Sequence, residues 1–76
     1  MTVAIILRQK GTDVATISPE ADIKNAADWM HAKNIGALLV ISDDAILGII
    51  SERDIVHAFS RYGAAVASLP VKNIMS

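Results

Sequence analysis

The stretch Gly48-Ile49-Ile50-Ser51-Glu52-Arg53-Asp54-Ile55 holds more chemistry than any other in this sequence. Serine and aspartate stand three apart where an apolar run gives way to a helical pattern. One reading is local. Ser51 caps the helix, and Asp54 at the third helical position bonds back to the cap, a capping box with aspartate in place of the usual glutamate. That arrangement says nothing about ligands. The other reading is a binding site. A helix start offers unpaired N–H groups and a partial positive charge, which suit an anion such as phosphate. Ser51 can donate a hydroxyl hydrogen bond, and Arg53 brings a charge and a planar fork for phosphate oxygens. Asp54 would repel phosphate, but its carboxylate suits the adjacent hydroxyls of a ribose. Gly48 leaves room for a ligand or a packed chain to approach. The three side chains together fit a nucleotide better than a free phosphate. Spacing alone leaves both readings open.

These residues need elements to hold them, and the pattern supplies a set. Thr2 can cap a short helix with Val3, Ile6 and Leu7 on one face, and Lys10 to Asp13 reads as a turn. Val14 to Ser18 is rich in β-branched residues and predicts a short strand, ended by Pro19. Asp22 is the expected N-cap of the clearest helix, whose apolar residues Ile23, Ala26, Ala27 and Met30 repeat at helical spacing. Lys33 suits its last turn, and Asn34 or Gly36 can stop it in the left-handed conformation. Ala37 to Ile41 is a continuous apolar run, short enough for a strand buried on both faces. Ser42 to Ala45 makes a polar turn, and Ile46 to Ile50 is the return strand of a hairpin. Ser51 opens a second helix with Ile55, Ala58, Phe59 and Tyr62 as its apolar face, closed at Tyr62-Gly63. Ala64 to Leu69 has no clear period and reads as a loop. Pro70 starts a last helical turn through Met75. The order predicts an α/β fold, a three-stranded sheet with helices packed on one face and the opposite face in need of cover.

Composition narrows the function classes. The chain has 76 residues, room for one domain, and 53% of them are hydrophobic. Its mean hydropathy is +0.43. Aromatics number only Trp29, Phe59 and Tyr62, so the apolar content is aliphatic. A small core with surplus aliphatic surface points to burial against a second copy or another domain. Net charge is −1 with scattered basic residues, which argues against nucleic acid as a partner. There is no cysteine, so disulfides and thiolate metal sites are excluded, in keeping with a reducing compartment. The apolar run Val3 to Leu7 is too short for a signal-peptide core or a membrane span, and a cytoplasmic location is the default. His31 and His57 have no third ligand at metal spacing. Asp43-Asp44 is a turn pair, and Trp29 borders the first long helix's apolar face as core or interface packing. No Ser/His/Asp set, Walker loop or dinucleotide fingerprint is present.

Gly48 to Val56 resembles the closing motif of the CBS domain (named after cystathionine β-synthase), whose pattern is Gly, two apolar residues, Ser or Thr, any two, Asp and an aliphatic. Thr16-Ile17-Ser18-Pro19 is similar to that family's first strand. Ala26-Ala27 with Met30, then Ile35-Gly36 and the run to Ile41, are similar to its helix and second strand, and Val3 to Leu7 to its lead-in helix. The resemblance covers residues 2 to about 62. It implies a CBS-type fold in which two motifs pair and bind adenosine-containing ligands, with no cofactor required and no catalysis. AMP or ATP is the expected ligand class, with S-adenosylmethionine or NAD as further members of it. Carried over by position, Asp54 would hold the ribose, Ser51 and Arg53 would face phosphate, and Thr16, Ile17, Ser18, Pro19, Gly36 and Ala37 would line the adenine, largely through backbone. Gly36 has no side chain for a phosphate contact. The alternative is a ligand-free structural dimerisation module.

The whole chain, 1–76, reads as one motif with its core at about 12–62, a lead-in helix over 1–11 and a possible second motif starting at 70–76. Tandem motifs are the family's habit, so a single one implies a homodimer that mimics the pair, or a chain that continues. Thr2 to Leu7 echoes Pro70 to Met75. The echo is either two unrelated amphipathic turns or the opening of a second repeat.

Overall fold

Residues 15–76 are described by a computed structural model. The lead-in helix expected over 2–7, the turn over 10–13 and Val14 lie outside them. Five elements follow in chain order: β1 (Thr16–Ile17), α1 (Ile23–Lys33), β2 (Ala37–Ser42), β3 (Ala45–Ser51) and α2 (Glu52–Tyr62). Two 3-10 helices, Gly63–Ser68 and Val71–Asn73, complete the chain.

Each long element starts and stops where local chemistry requires. The Asp22 carboxylate accepts from the Asn25 N–H at 2.8 Å, which satisfies an orphan donor at the start of α1. Asn34 ends that helix with φ 54° in the left-handed region, where asparagine is tolerated. β2 and β3 form an antiparallel hairpin around Asp43 and Asp44 alone, shorter than the turn the sequence suggests. Both aspartates have positive φ, 52° and 63°. That is the geometry of the two-residue turn whose twist matches the strands, and it lets pairing begin already at Ser42 and Ala45.

β1 pairs parallel with β2, giving the order β1-β2-β3. Register decides which side chains share a face. Ile17 is level with Val40, Val40 with Gly48, and Leu38 with Ile50. Leu38, Val40 and Ile50 are buried, together with Ile23, Ala26 and Met30 of α1, Ala58 of α2, and Val66 and Val71. Both helices therefore cover one sheet face. The other carries Thr16, Leu39 and Ile49 in one row and Ala37 with Ser51 in the next. An extra residue, Leu47, interrupts the β3 ladder between the Val40–Gly48 and Ile41–Ile46 pairs. This bulge brings Ile46 onto the face of Leu39 and Ile49.

Three expectations are corrected. β2 is not buried on both faces: Leu39 and Ile41 are only half-buried, and no element among the described residues packs over them. Ala64 to Leu69 is no loop but largely a 3-10 helix, which plants Val66 in the core. That placement also displaces the expected face of α2. Ala58 is its buried residue and Ile55 packs partly against the core, whereas Phe59 and Tyr62 are 57% and 50% exposed.

The tail from Leu69 is bound along the rest of the chain. Ile23 donates its N–H to the Leu69 carbonyl at 3.0 Å, Val71 to Ala21 at 2.7 Å, and Lys72 to Pro19 at 3.1 Å. At its end, the Ser76 N–H donates to the Ile49 carbonyl at 2.9 Å and the Ile49 N–H to the Ser76 carbonyl at 3.2 Å. Ser76 thus extends the sheet by one residue past β3.

The hairpin turn generates a prediction. Replacing Asp43 with Asn and Asp44 with Gly supplies the residues that best tolerate two positive φ angles. Stability should rise by about 1 kcal/mol, the usual scale of such surface optimisation, and the melting temperature by roughly 4–8 °C for a domain of this size. A thermal melt followed by circular dichroism would show it; an unchanged or lower midpoint would contradict the turn assignment.

Candidate functional site

β3 delivers Ser51 to the mouth of α2, and the hydrogen-bonding there is local and complete in the sense of a cap. The Asp54 N–H donates to Ser51 Oγ at 3.2 Å, and the Ser51 N–H donates to Asp54 Oδ2 at 2.9 Å. The Ser51 hydroxyl also donates to Asp54 Oδ2 at 2.9 Å. This is the reciprocal box anticipated from the spacing. A fourth contact was not legible: the Ser76 hydroxyl donates to Asp54 Oδ1 at 3.2 Å. Across the hairpin, the Glu52 N–H donates to the Gly36 carbonyl at 3.0 Å. A second orphan N–H at the start of α2 is thereby taken by backbone, and the 36–37 and 51–54 segments are tied together.

The remaining candidate residues spread around this junction. Thr16 and Ile17 border a groove with Asn25, Asp28 and Trp29 of α1. Ser18 is exposed and its hydroxyl accepts from the Glu20 N–H at 3.2 Å. Pro19 is buried, and its carbonyl is occupied by the tail. Gly36 lies in a second groove with Met30, His31, Glu52 and Val56, between the end of α1 and the start of α2. A Cβ on Gly36 would meet only Glu52 Oε1, at 2.7 Å, the movable end of an exposed side chain. Asp54 borders a third groove, between α2 and the tail. Arg53 is exposed and pairs with no carboxylate among the described residues.

None of these three grooves collects the nine candidates. What Thr16, Ala37 and Ser51 do share is the uncovered face of the sheet, in register with the apolar residues Leu39 and Ile49. The groove at Asp54 also brings in residues the sequence reading passed over. His57, Arg61, Tyr62 and Asn73 line it, with the Arg61 guanidinium 5.6 Å from the centre of the Tyr62 ring. The signal was available, since residues 54, 57 and 61 fall on one helical face. Chemically the site offers a carboxylate, hydroxyls and cations, the complement of a phosphorylated sugar. No cluster of three His, Cys, Asp or Glu suited to a metal ion exists among the described residues. None of the described helices is long and apolar enough to cross a membrane.

Comparison with known proteins gives one consistent result. A family model described as CBS domain matches residues 10–61. An inosine-5'-monophosphate dehydrogenase from Thermoplasma acidophilum is 38% identical over 64 residues, which is 84% of this chain and 13% of the enzyme. The CBS domain-containing protein YhcV of Bacillus subtilis is 35% identical over 65 residues, 86% of this chain and 46% of that protein. The crystal structure of a CBS-domain containing protein from Agrobacterium tumefaciens superposes with a TM-score of 0.83 and 40% identity, covering 100% of this chain and 61% of that one. The chain spans less than two thirds of each of these relatives.

The cap predicts its own mutant energetics. Ser51→Ala and Asp54→Ala should each cost about 1 kcal/mol, as loss of an N-cap does. The double variant should cost less than the sum, because both changes break one network. Urea unfolding of the four proteins would measure the cycle, and full additivity would show that the box carries no coupling.

Proposed function

This chain belongs to the CBS domain family of regulatory modules, and from that premise we propose that it senses an adenosine nucleotide of the AMP/ATP class. The binding cleft forms where two motifs pair through their uncovered sheet faces, in a cytoplasmic homodimer, and the module regulates without catalysing. Asp54 takes the ribose hydroxyls, Ser51 and Arg53 face phosphate, and Thr16 to Pro19 with Gly36-Ala37 border the base. Arg61 lines the same groove as Asp54 and adds positive charge on the phosphate side.

The observation that carries this reading is the content of the uncovered face. Ala37, Leu39, Ile41, Ile46 and Ile49 make it apolar enough to need a partner, while Thr16 and Ser51 put hydroxyls on the same surface. A partner seated there buries aliphatic surface at roughly 25 cal/mol per Å². It also roofs over the hydroxyl-bearing end and gives a ligand two walls. Catalysis by the dehydrogenase relative does not transfer, since the match covers 13% of that enzyme.

A second reading, pairing without a ligand, is favoured by one fact. The Asp54 carboxylate is already engaged by Ser51 and Ser76, so it has a structural use that needs no nucleotide.

Calorimetric titration with AMP separates the two. Saturable heat at no more than one ligand per chain is expected. Arg53→Ala should weaken AMP binding roughly tenfold, the scale of one charge-assisted contact, with an unchanged melting temperature, because Arg53 supports nothing in the fold. Ile49→Glu should yield a monomer by analytical ultracentrifugation and abolish binding. A dimer that gives no heat with AMP, ATP or S-adenosylmethionine would establish the ligand-free reading.

A further inference from the structure

The tail ends against the same carboxylate that the nucleotide reading assigns to the ribose. Three features hold it there. Val71 is fully buried and anchors one end, with its N–H on Ala21. Lys72 pairs with Glu20 at 3.1 Å beside it. At the other end Ser76 exchanges two backbone hydrogen bonds with Ile49 and donates its hydroxyl to Asp54. Gly48 permits this approach, for a Cβ on it would collide with the Ser76 carbonyl oxygen and touch Met75 Sδ at 3.5 Å. Asn73 and Ile74 form the tail-side wall of the groove that holds Asp54, His57 and Arg61.

A carboxylate has about four acceptor positions. Asp54 has committed three, to the Ser51 N–H, the Ser51 hydroxyl and the Ser76 hydroxyl. A ribose offering two adjacent hydroxyls needs two. One present partner must therefore leave. The Ser51 contacts are part-buried and close the cap, whereas the Ser76 contact is exposed and longer. Ser76 is the one that yields.

We propose that residues 74–76 form a strap that masks Asp54, and that a ligand with vicinal hydroxyls binds in competition with the Ser76 hydroxyl. This rests on the nucleotide reading above and deepens it. Asp54 is pre-oriented by a hydroxyl that mimics the one it will bind. Binding then carries a built-in consequence, release of residues 74–76 from the edge of β3.

Two variants test it, read in two ways. Ser76→Ala removes the competing hydroxyl and leaves the backbone pairing. Gly48→Ala pushes the strap off the edge. Amide exchange without nucleotide should show the Ile49 and Ser76 N–H groups protected in the wild type and in Ser76→Ala, and unprotected in Gly48→Ala. The β2–β3 ladder at Leu38 and Ile50 should stay protected throughout, which checks that the fold survives. Calorimetry with AMP should show Ser76→Ala binding roughly three- to tenfold tighter, the worth of one such hydrogen bond, and saturating AMP should expose the Ser76 amide in the wild type. Equal or weaker AMP affinity in Ser76→Ala would overturn the competition while leaving the nucleotide reading intact. Retained Ile49 protection in Gly48→Ala would overturn the strap. Failure of all three proteins to bind AMP, with the exchange pattern as described, would overturn the nucleotide reading and the competition with it.

Discussion

Leu38, Val40 and Ile50 point the same way from their strands, and two helices with the Val66 and Val71 segments close over them. That single packing event uses up every helix the described chain has. A sheet has two faces, and a helix pair can cover only one. The surplus is not a flaw of a small core but the condition under which it exists, because Leu39 and Ile49 are tied by register to the strands that make the buried face. Strand alternation sends the two sets to opposite faces, so one layer of helices buries one set and leaves the other displayed. The half-buried state of Leu39 and Ile41, and the surface that Thr16 and Ser51 share with them, both follow from that one-sidedness.

The junction of β3 with α2 shows how a structural device and a recognition device can be the same atoms. Ser51 and Asp54 satisfy one another and two orphan N–H groups at the helix start. In doing so they fix a carboxylate at a defined place beside the sheet edge. On the proposed reading, a carboxylate held by its own helix needs no rearrangement to meet a ligand, only the loss of its weakest partner. The family pattern of Ser and Asp three apart is thus compatible with members that bind and members that do not, since the box is useful in either case.

Much of this was legible before any coordinates. Asp22, Asn34 and Ser51 mark helix boundaries because short polar side chains compete for backbone groups, and that chemistry is local. The alternation of β2 was hidden for an opposite reason. A run of five aliphatic residues looks alike whether one face or two are covered, and only the number of available helices decides it. The residues 64–69 carry little pattern because small apolar side chains suit a 3-10 helix, a loop and a core filler equally. Phe59 and Tyr62 were assigned inward on period alone, but the residues buried there are Ala58 and, from a later segment, Val66. The Ser76–Asp54 contact spans 22 positions, and no local rule reaches that far. The groove partners His57 and Arg61 were within reach, since they share a helix face with Asp54.

The bulge at Leu47 makes this strand a counter with two settings. From Gly48 onward the chain reads odd residues outward, and before Leu47 it reads even ones outward, so that Ile49 and Ile46 lie on one surface despite their odd spacing. Sequence change in the hairpin therefore has two very different tolerances within a few residues. At the Asp43-Asp44 tip, added or lost residues lengthen or shorten a loop. At Leu47, straightening the strand with every residue kept would set Leu47 opposite Ile41 and turn Ile46 toward the helices, whereas losing Leu47 itself would leave a regular ladder with Ile46 still outward. The orientation of Ile46 is thus held by the bulge and not by the number of residues between it and Ser51.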